Sequence, residues 1–235
     1  MLTLGIDTSA VTASVSIVKD SSVLSEFSLT GGLTHSEHLI PMIENSLKYL
    51  ALSCDDIDLY AVSNGPGSFT GLRIGIASVK GLAFKNNTPC VGVSTLEALA
   101  MRLCGYQGVI CPAMDARRNE FYNALFTFEE GELKRICPDR AISSKDLKLE
   151  LSKYNRVIIN GDGALKLHSL IGDNKIICAD PQFIRQNAAS VALLAEKKYK
   201  SGEYVLPESL GAVYLRLPQA ERELLEKEKS KENLK

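Results

Sequence analysis

The stretch Asn64-Gly65-Pro66-Gly67-Ser68-Phe69-Thr70-Gly71-Leu72-Arg73-Ile74-Gly75-Ile76-Ala77-Ser78-Val79-Lys80-Gly81-Leu82-Ala83-Phe84 joins a glycine-rich turn to a helix with almost no polar face. Each interior Gly costs about 0.8–1.0 kcal/mol relative to Ala, so Gly71, Gly75 and Gly81 together forgo roughly 2–3 kcal/mol of helix preference. A close contact has to offset that loss. With side chains about 100° apart around the axis, Gly71, Gly75, Ser78 and Leu82 form one line, with Leu72, Ile76, Val79 and Ala83 beside them. Ile74, Ala77, Gly81 and Phe84 fill the other flank, and only Arg73 and Lys80 carry charge. Such a helix is covered on two sides. Its own sheet supplies one cover, and the small-residue line admits a second helix, from this chain or from a partner.

Nucleotide-binding readings of the turn fail on spacing. A P-loop needs a second glycine five positions on, where Thr70 follows Gly65 and Leu72 follows Gly67. The dinucleotide pattern starting at Gly65 also meets Thr70 at its third glycine. Ser68 or Thr70 is therefore read as a helix cap.

Around this stretch the first half alternates in the manner of strands. Leu2, Leu4 and Ile6 lead into Asp7-Thr8-Ser9, and two further runs, around Val15–Ile17 and Val23–Leu29, complete an antiparallel meander. Thr34-His35-Ser36-Glu37 reads as a capping box for a helix with apolar Leu39, Ile40, Met42, Ile43, Leu47 and Leu50, interrupted by Pro41. Residues 57–62 form a fourth strand and 90–93 a fifth, with Ser94 and Glu97 as a second capping box. Three strands, helix, strand, helix, strand, helix is an α/β order with a mixed sheet. The second half starts another strand set at residues 109–114, with a hairpin of 121–128 and 133–137, but does not complete the pattern. Short strands are expected at 157–159 and 176–178, and a helix at 188–198.

The composition sets the remaining bounds. At 235 residues and 45% hydrophobic, the chain can bury a sizeable core. Met1 to Asp7 lacks a basic start and long apolar run, and no stretch is apolar enough to span a bilayer, so a cytoplasmic chain without membrane contact is expected. Six cysteines without C-x-x-C pairs suit reduced thiols. Residues 1–105 hold 6 basic and 9 acidic side chains and residues 106–235 hold 21 and 19, so neither half reads as a stand-alone nucleic-acid binder.

Together, Gly5-Ile6-Asp7-Thr8-Ser9, His35-Ser36-Glu37-His38-Leu39-Ile40-Pro41, Asn64 to Gly75, Val93-Ser94-Thr95-Leu96, Asp115-Ala116-Arg117 and Tyr214-Leu215-Arg216 resemble the TsaB family. The resemblance runs from residue 1 to about residue 218. It implies an actin-like, sugar-kinase-like (ASKHA) two-lobed α/β fold with mixed sheets. The first lobe would be 1–105 and a shortened second lobe 106–218, with helix 188–200 packing back on the first; a charged tail, 219–235, is expected as an exposed, fraying helix. It also implies a non-catalytic dimerisation subunit for making threonylcarbamoyladenosine in tRNA. The implied partners are a larger TsaD-type catalytic subunit, a TsaE-type ATPase and, through the complex, tRNA.

The same resemblance argues against catalysis by this chain. Where the catalytic homologue carries a V-H-H-x-x-x-H run with two metal-ligating histidines, this sequence has Thr95 and Leu99. His35 and His38 lack the H-E-x-x-H spacing of a metal helix and are read as a helix-end or interface pair. No catalytic, cofactor or metal residue is therefore assigned. Asp7 begins what would be a first phosphate loop, but the second-lobe turn Asp115-Ala116-Arg117-Arg118-Asn119 lacks the glycines that let backbone N–H groups cradle an anion. Gly161-Asp162-Gly163 reads as a remnant adenosine loop or as a plain turn. Arg117 and Arg118 read as a rim facing an anionic partner or as a solvated pair. The partner interface is assigned to Leu39, Ile43, Gly71, Gly75, Ser78 and Leu82. Two rival readings stand beside this one: a sugar-kinase-like or metallopeptidase activity of the isolated chain, and a self-sufficient homodimeric binding module.

Overall fold

The computed structural model describes residues 1–31 and 34–216; the charged tail at 219–235 lies outside them. The alternation at the amino terminus builds β1 (Leu2–Asp7), which pairs antiparallel with β2 (Ala13–Lys19), itself paired with β3 (Ser22–Leu29). β4 (Leu59–Gly65) lies parallel to β1, and β5 (Cys90–Ser94) parallel to β4, giving the order β3-β2-β1-β4-β5. β1 is the central strand and all six of its residues are buried, because both faces of the sheet are covered. On one face α1 (His35–Tyr49) and α2 (Phe69–Phe84) lay Leu39, Ile43, Ile76 and Val79 over Leu4, Ile6, Val15 and Val62. On the other, α7 (Ala188–Lys200) lays Val191, Leu194 and Ala195 over Leu59, Ala61 and Val93.

The second half repeats this plan. β6 (Val109–Asp115), β7 (Glu120–Glu129) and β8 (Glu132–Ser143) form an antiparallel meander. α4 (Ser144–Leu151), β9 (Val157–Asn160), α5 (Ala164–Ile171) and β10 (Ile176–Cys178) follow, and the sheet order is β10-β9-β6-β7-β8. The expectation that this half leaves the pattern unfinished is therefore corrected: its strand succession is the same as in the first half. What is abbreviated is length. The two outer helices have 8 residues each against 15 and 16, and β9 and β10 have 4 and 3. Runs that short carry too little periodicity to be read from sequence. α3 (Thr95–Met101) packs Leu96 and Leu99 against Ile110, Met114 and Phe126 of the second sheet, so α3 and α7 lie between the two sheets. A single turn, α6 (Pro181–Ile184), leads back to α7.

Four of the described helices start at a polar residue that caps them. Ser68, Ser94, Ser143 and Asn187 each accept a hydrogen bond from a backbone N–H of the helix they start. The Ser94 box is half formed, because Glu97 turns instead to Arg135 and Lys198. The box expected at Thr34 does not form: its side chain makes no cap bond, and Glu37 N–H donates to the Thr34 carbonyl. His35 explains part of the difference, since its Nε2 reaches back 2.7 Å to the Ala10 carbonyl and fixes the helix entry without a cap.

After α7 the chain returns as a strap along the first sheet. Cys90 and Val205 exchange backbone hydrogen bonds of 2.8 and 2.9 Å, and Val213 N–H donates to the Asn64 carbonyl at 2.8 Å. Tyr214 then stacks on Phe69, with ring centres 4.0 Å apart and planes within 4°.

Candidate functional site

The contact that offsets the glycines of α2 is internal. A Cβ on Gly71 would stand 2.0 Å from the Thr8 carbonyl oxygen, one on Gly75 2.4 Å from Thr8 Oγ1, and one on Gly67 2.5 Å from the Ser9 carbonyl. Thr8 Oγ1 in turn donates to the Gly71 carbonyl at 2.7 Å, and Ser68 N–H donates to the Ser9 carbonyl at 2.7 Å. The start of α2 thus rests directly on the turn between β1 and β2. Only residues without side chains allow that approach.

This overturns the assignment of Gly71 and Gly75, with Leu39 and Ile43, to a partner interface. Leu39 and Ile43 are core residues at 0% and 2% exposure. The physical reason is that the small-residue line admits the β1–β2 turn, so no room remains for a helix of another chain. Ser78 and Leu82 are half-buried, Leu82 packing on the same core as Leu39. Gly75→Leu, which would spare the fold if that line were a partner seat, is instead an overpacking substitution in the core. The side of α2 left open is the flank of Thr70, Arg73, Ala77, Gly81 and Phe84, with Phe84 75% exposed and no atom within 4 Å of a Cβ on Gly81. α1 adds Ile40, Pro41 and Glu44 on its outer side. An open position at Gly81 is the signal that separates this glycine from the other two, and it is invisible before the sheet is placed.

The first-lobe turn is closed by its own polar groups. Asp7 Oδ1 accepts from Ser9 N–H at 2.9 Å and Ser9 Oγ at 2.6 Å, while Oδ2 accepts from Ser63 Oγ at 2.5 Å. Burial pushes the Asp7 carboxyl above its ordinary value, against the pull of these hydrogen bonds. Thr95 and Leu99 are both fully buried in α3, where their one-turn spacing aims them into the protein. His35 is engaged with Ala10, and His38 lies 4.0 Å from Glu37. Among the described residues no group of three or more His, Cys, Asp or Glu side chains is placed to hold a metal ion.

In the second half the corresponding helix approach belongs to Gly161 and Gly163. A Cβ at Gly161 would meet the Ala113 carbonyl oxygen at 2.3 Å, and one at Gly163 the Asp115 nitrogen at 2.8 Å. Gly163 N–H donates to the Ala113 carbonyl at 3.0 Å, so Gly161-Asp162-Gly163 is a packing turn against β6. Desolvation pushes the Asp162 carboxyl up to about 6, with Asp115 adding to the effect. Between β6 and β7, Arg117, Arg118 and Asn119 all take left-handed backbone angles, φ 65°, 54° and 58°. Asp115 holds this turn by accepting from Arg117 N–H at 2.8 Å, and Arg216 from the strap donates to the Ala116 carbonyl and pairs with Glu120. Arg117 and Arg118 themselves are exposed and have no ion-pair partner among the described residues.

Comparison with known proteins agrees with this two-sheet plan. The sequence profile of the family described as TsaD, tRNA N6-adenosine threonylcarbamoyltransferase, matches residues 30–169. The chain is 29% identical to the tRNA threonylcarbamoyladenosine biosynthesis protein TsaB of Bacillus subtilis over 97% of this chain and 100% of that protein. It is also 29% identical to the TsaB protein of Escherichia coli, over 92% and 95% of the two chains. The solved structure of YeaZ from Pseudomonas aeruginosa superposes with a TM-score of 0.80 at 26% identity, over 91% of this chain and 99% of that one. The fold is thus the actin-like, sugar-kinase-like α/β fold, and the chain belongs to the TsaD family, within its TsaB group.

Proposed function

We propose that this chain is a non-catalytic scaffold subunit in the biosynthesis of threonylcarbamoyladenosine in tRNA, pairing with a TsaD-type catalytic subunit. The observation that carries the reading is the end-to-end match to a protein named for that biosynthesis, with neither chain leaving a domain unmatched. The site supports the scaffold role. Thr95 and Leu99, at the positions of the catalytic homologue's metal-ligating histidines, are packed away in α3, and the Asp7 turn is filled by its own serines. On this reading the partner seat is the outer side of α1 and α2, where Ile40, Ala77, Gly81 and Phe84 are exposed and Ala77 and Gly81 leave the α2 backbone nearly uncovered. Such a surface lets a homologous helix pair approach across a pseudo-two-fold axis. The ATPase and tRNA join through the assembled complex, in the cytoplasm.

The test mixes the purified chain with its TsaD-type homologue and follows mass by light scattering and affinity by calorimetry. A one-to-one complex is expected, abolished by Phe84→Glu or Ile40→Glu with the melting temperature unchanged. The isolated chain, given a divalent metal and ATP, should transfer no threonylcarbamoyl group. Pairing that survives both substitutions would move the interface elsewhere, self-association through this face that resists the homologue would favour a homodimeric module, and turnover by the isolated chain would end the scaffold reading.

A further inference from the structure

The strap does more than close the first sheet, because it brings two separate cationic elements into one surface. Tyr214 stacks on Phe69 at the start of α2, and its hydroxyl accepts from Arg73 Nε at 3.2 Å. Two residues later Arg216 holds the left-handed turn of the second half, bonding the Ala116 carbonyl and Glu120 and lying over the Tyr122 ring. Two residues of chain span at most about 7 Å, so one short stretch of the strap holds both the Tyr214 stack and the 115–120 turn. Charge gathers at this junction. Arg73, Arg117, Arg118, Lys166 and Arg216 stand on these elements and on α5, and among the described residues the carboxylates there are Asp115, Glu120 and Asp162, in a chain whose net charge is −1. Lys166 is paired with Asp115 and Arg216 with Glu120, while Arg117 and Arg118 are exposed with no such partner among the described residues. Tyr214 has one face on Phe69 and remains 40% exposed.

An aromatic ring presented beside unneutralised arginines is the pattern that binds single-stranded nucleic acid, the ring taking a base and the guanidinium groups the adjoining phosphates. An acidic peptide would use the arginines and leave the ring idle. We propose that the junction of Tyr214 with Arg117 and Arg118 is an RNA-contacting surface of this chain, which takes an unpaired nucleotide and its flanking phosphates. The proposal rests on the tRNA-modification reading for its choice of RNA, and its geometry rests on the strap alone.

The experiment measures anisotropy of an end-labelled anticodon-type stem-loop RNA, titrated with the full chain and with its complex with the TsaD-type homologue, across a salt series. Replacing both Arg117→Gln and Arg118→Gln is expected to weaken binding about tenfold at low salt and to flatten the slope of log K against log salt by about 1.4, at ~0.7 per single-strand phosphate contact. Tyr214→Leu should reduce the preference for the stem-loop over a blunt RNA duplex, and Tyr214→Phe should keep it. If Tyr214→Leu lowers the melting temperature, the arginine pair decides alone, because exposed charges at a turn leave the core untouched. Unchanged affinity and salt slope in the arginine variant, or displacement of the RNA by poly-glutamate as readily as by unlabelled RNA, would overturn the proposal. Calorimetry of the same variant with the homologue separates the two readings: intact pairing with lost RNA binding supports both, and failure of the wild-type chain to pair removes the scaffold reading while RNA binding is still read directly.

Discussion

The two halves of this protein share a strand order and solve one packing problem with unequal means. In each, a helix must start against the strand or turn beside the one it leaves, and glycine is what permits it. In the first half Gly67, Gly71 and Gly75 set a 16-residue helix on the β1–β2 turn. In the second, Gly161 and Gly163 set an 8-residue helix on the end of β6. The longer helix needs glycines within its own body, because its first two turns continue across Thr8; the shorter needs them only in the turn that precedes it. Gly81 belongs to neither arrangement, since a Cβ there would meet nothing within 4 Å.

The largest effect expected from this comparison is at Gly71. Gly71→Val drives a branched side chain into the Thr8 carbonyl, a backbone atom that cannot step aside, and should cost about 3 kcal/mol or more. Denaturant titration checks it, and a loss below about 1 kcal/mol would mean that the turn and helix separate easily. Gly163→Ala comes next, at about 1–3 kcal/mol, since the added methyl meets the Asp115 nitrogen, the Phe121 ring and the Ala113 carbonyl at 2.8 to 3.0 Å. A melting temperature equal to wild type would break the parallel between the halves.

Asp7 gives a smaller, pH-dependent effect. Burial raises its folded-state pKa above the ordinary carboxylate value, so the folded protein holds the proton more tightly than the unfolded chain. Its contribution to stability is therefore fully present below the unfolded value and is lost as pH rises through the folded one. Asp7→Asn keeps an oxygen for Ser9 and lets the Ser63 hydroxyl accept instead of donate. Relative to wild type, the variant should gain stability as pH rises above the ordinary carboxylate range, followed by thermal unfolding across pH. A difference constant with pH would show that Asp7 is not held above its ordinary value.

The smallest effect belongs to Gly81→Ala. Its methyl meets nothing within 4 Å, so the isolated chain should gain about 0.8–1 kcal/mol of helix preference. Pairing with the catalytic homologue should weaken, which calorimetry reads. Gain of stability with unchanged pairing would take Gly81 out of the partner seat.

The sequence by itself determined the order of strands and helices in the first half, the Ser68 and Ser94 caps, and the family. Each rests on local information: two-residue alternation, a hydroxyl placed before a helix, or an unbroken block such as Asn64 to Gly75. It also showed that Gly71, Gly75 and Gly81 needed a reason. Which reason applied to which glycine was decided by the tertiary structure, because Thr8 is 63 residues from Gly71 and helical projection carries no information about what lies opposite each face. The same limit hid the complete second sheet, whose last strands are too short to show a period. It also hid the course of the strap, which carries residue 214 to Phe69 and residue 216 to the 115–120 turn.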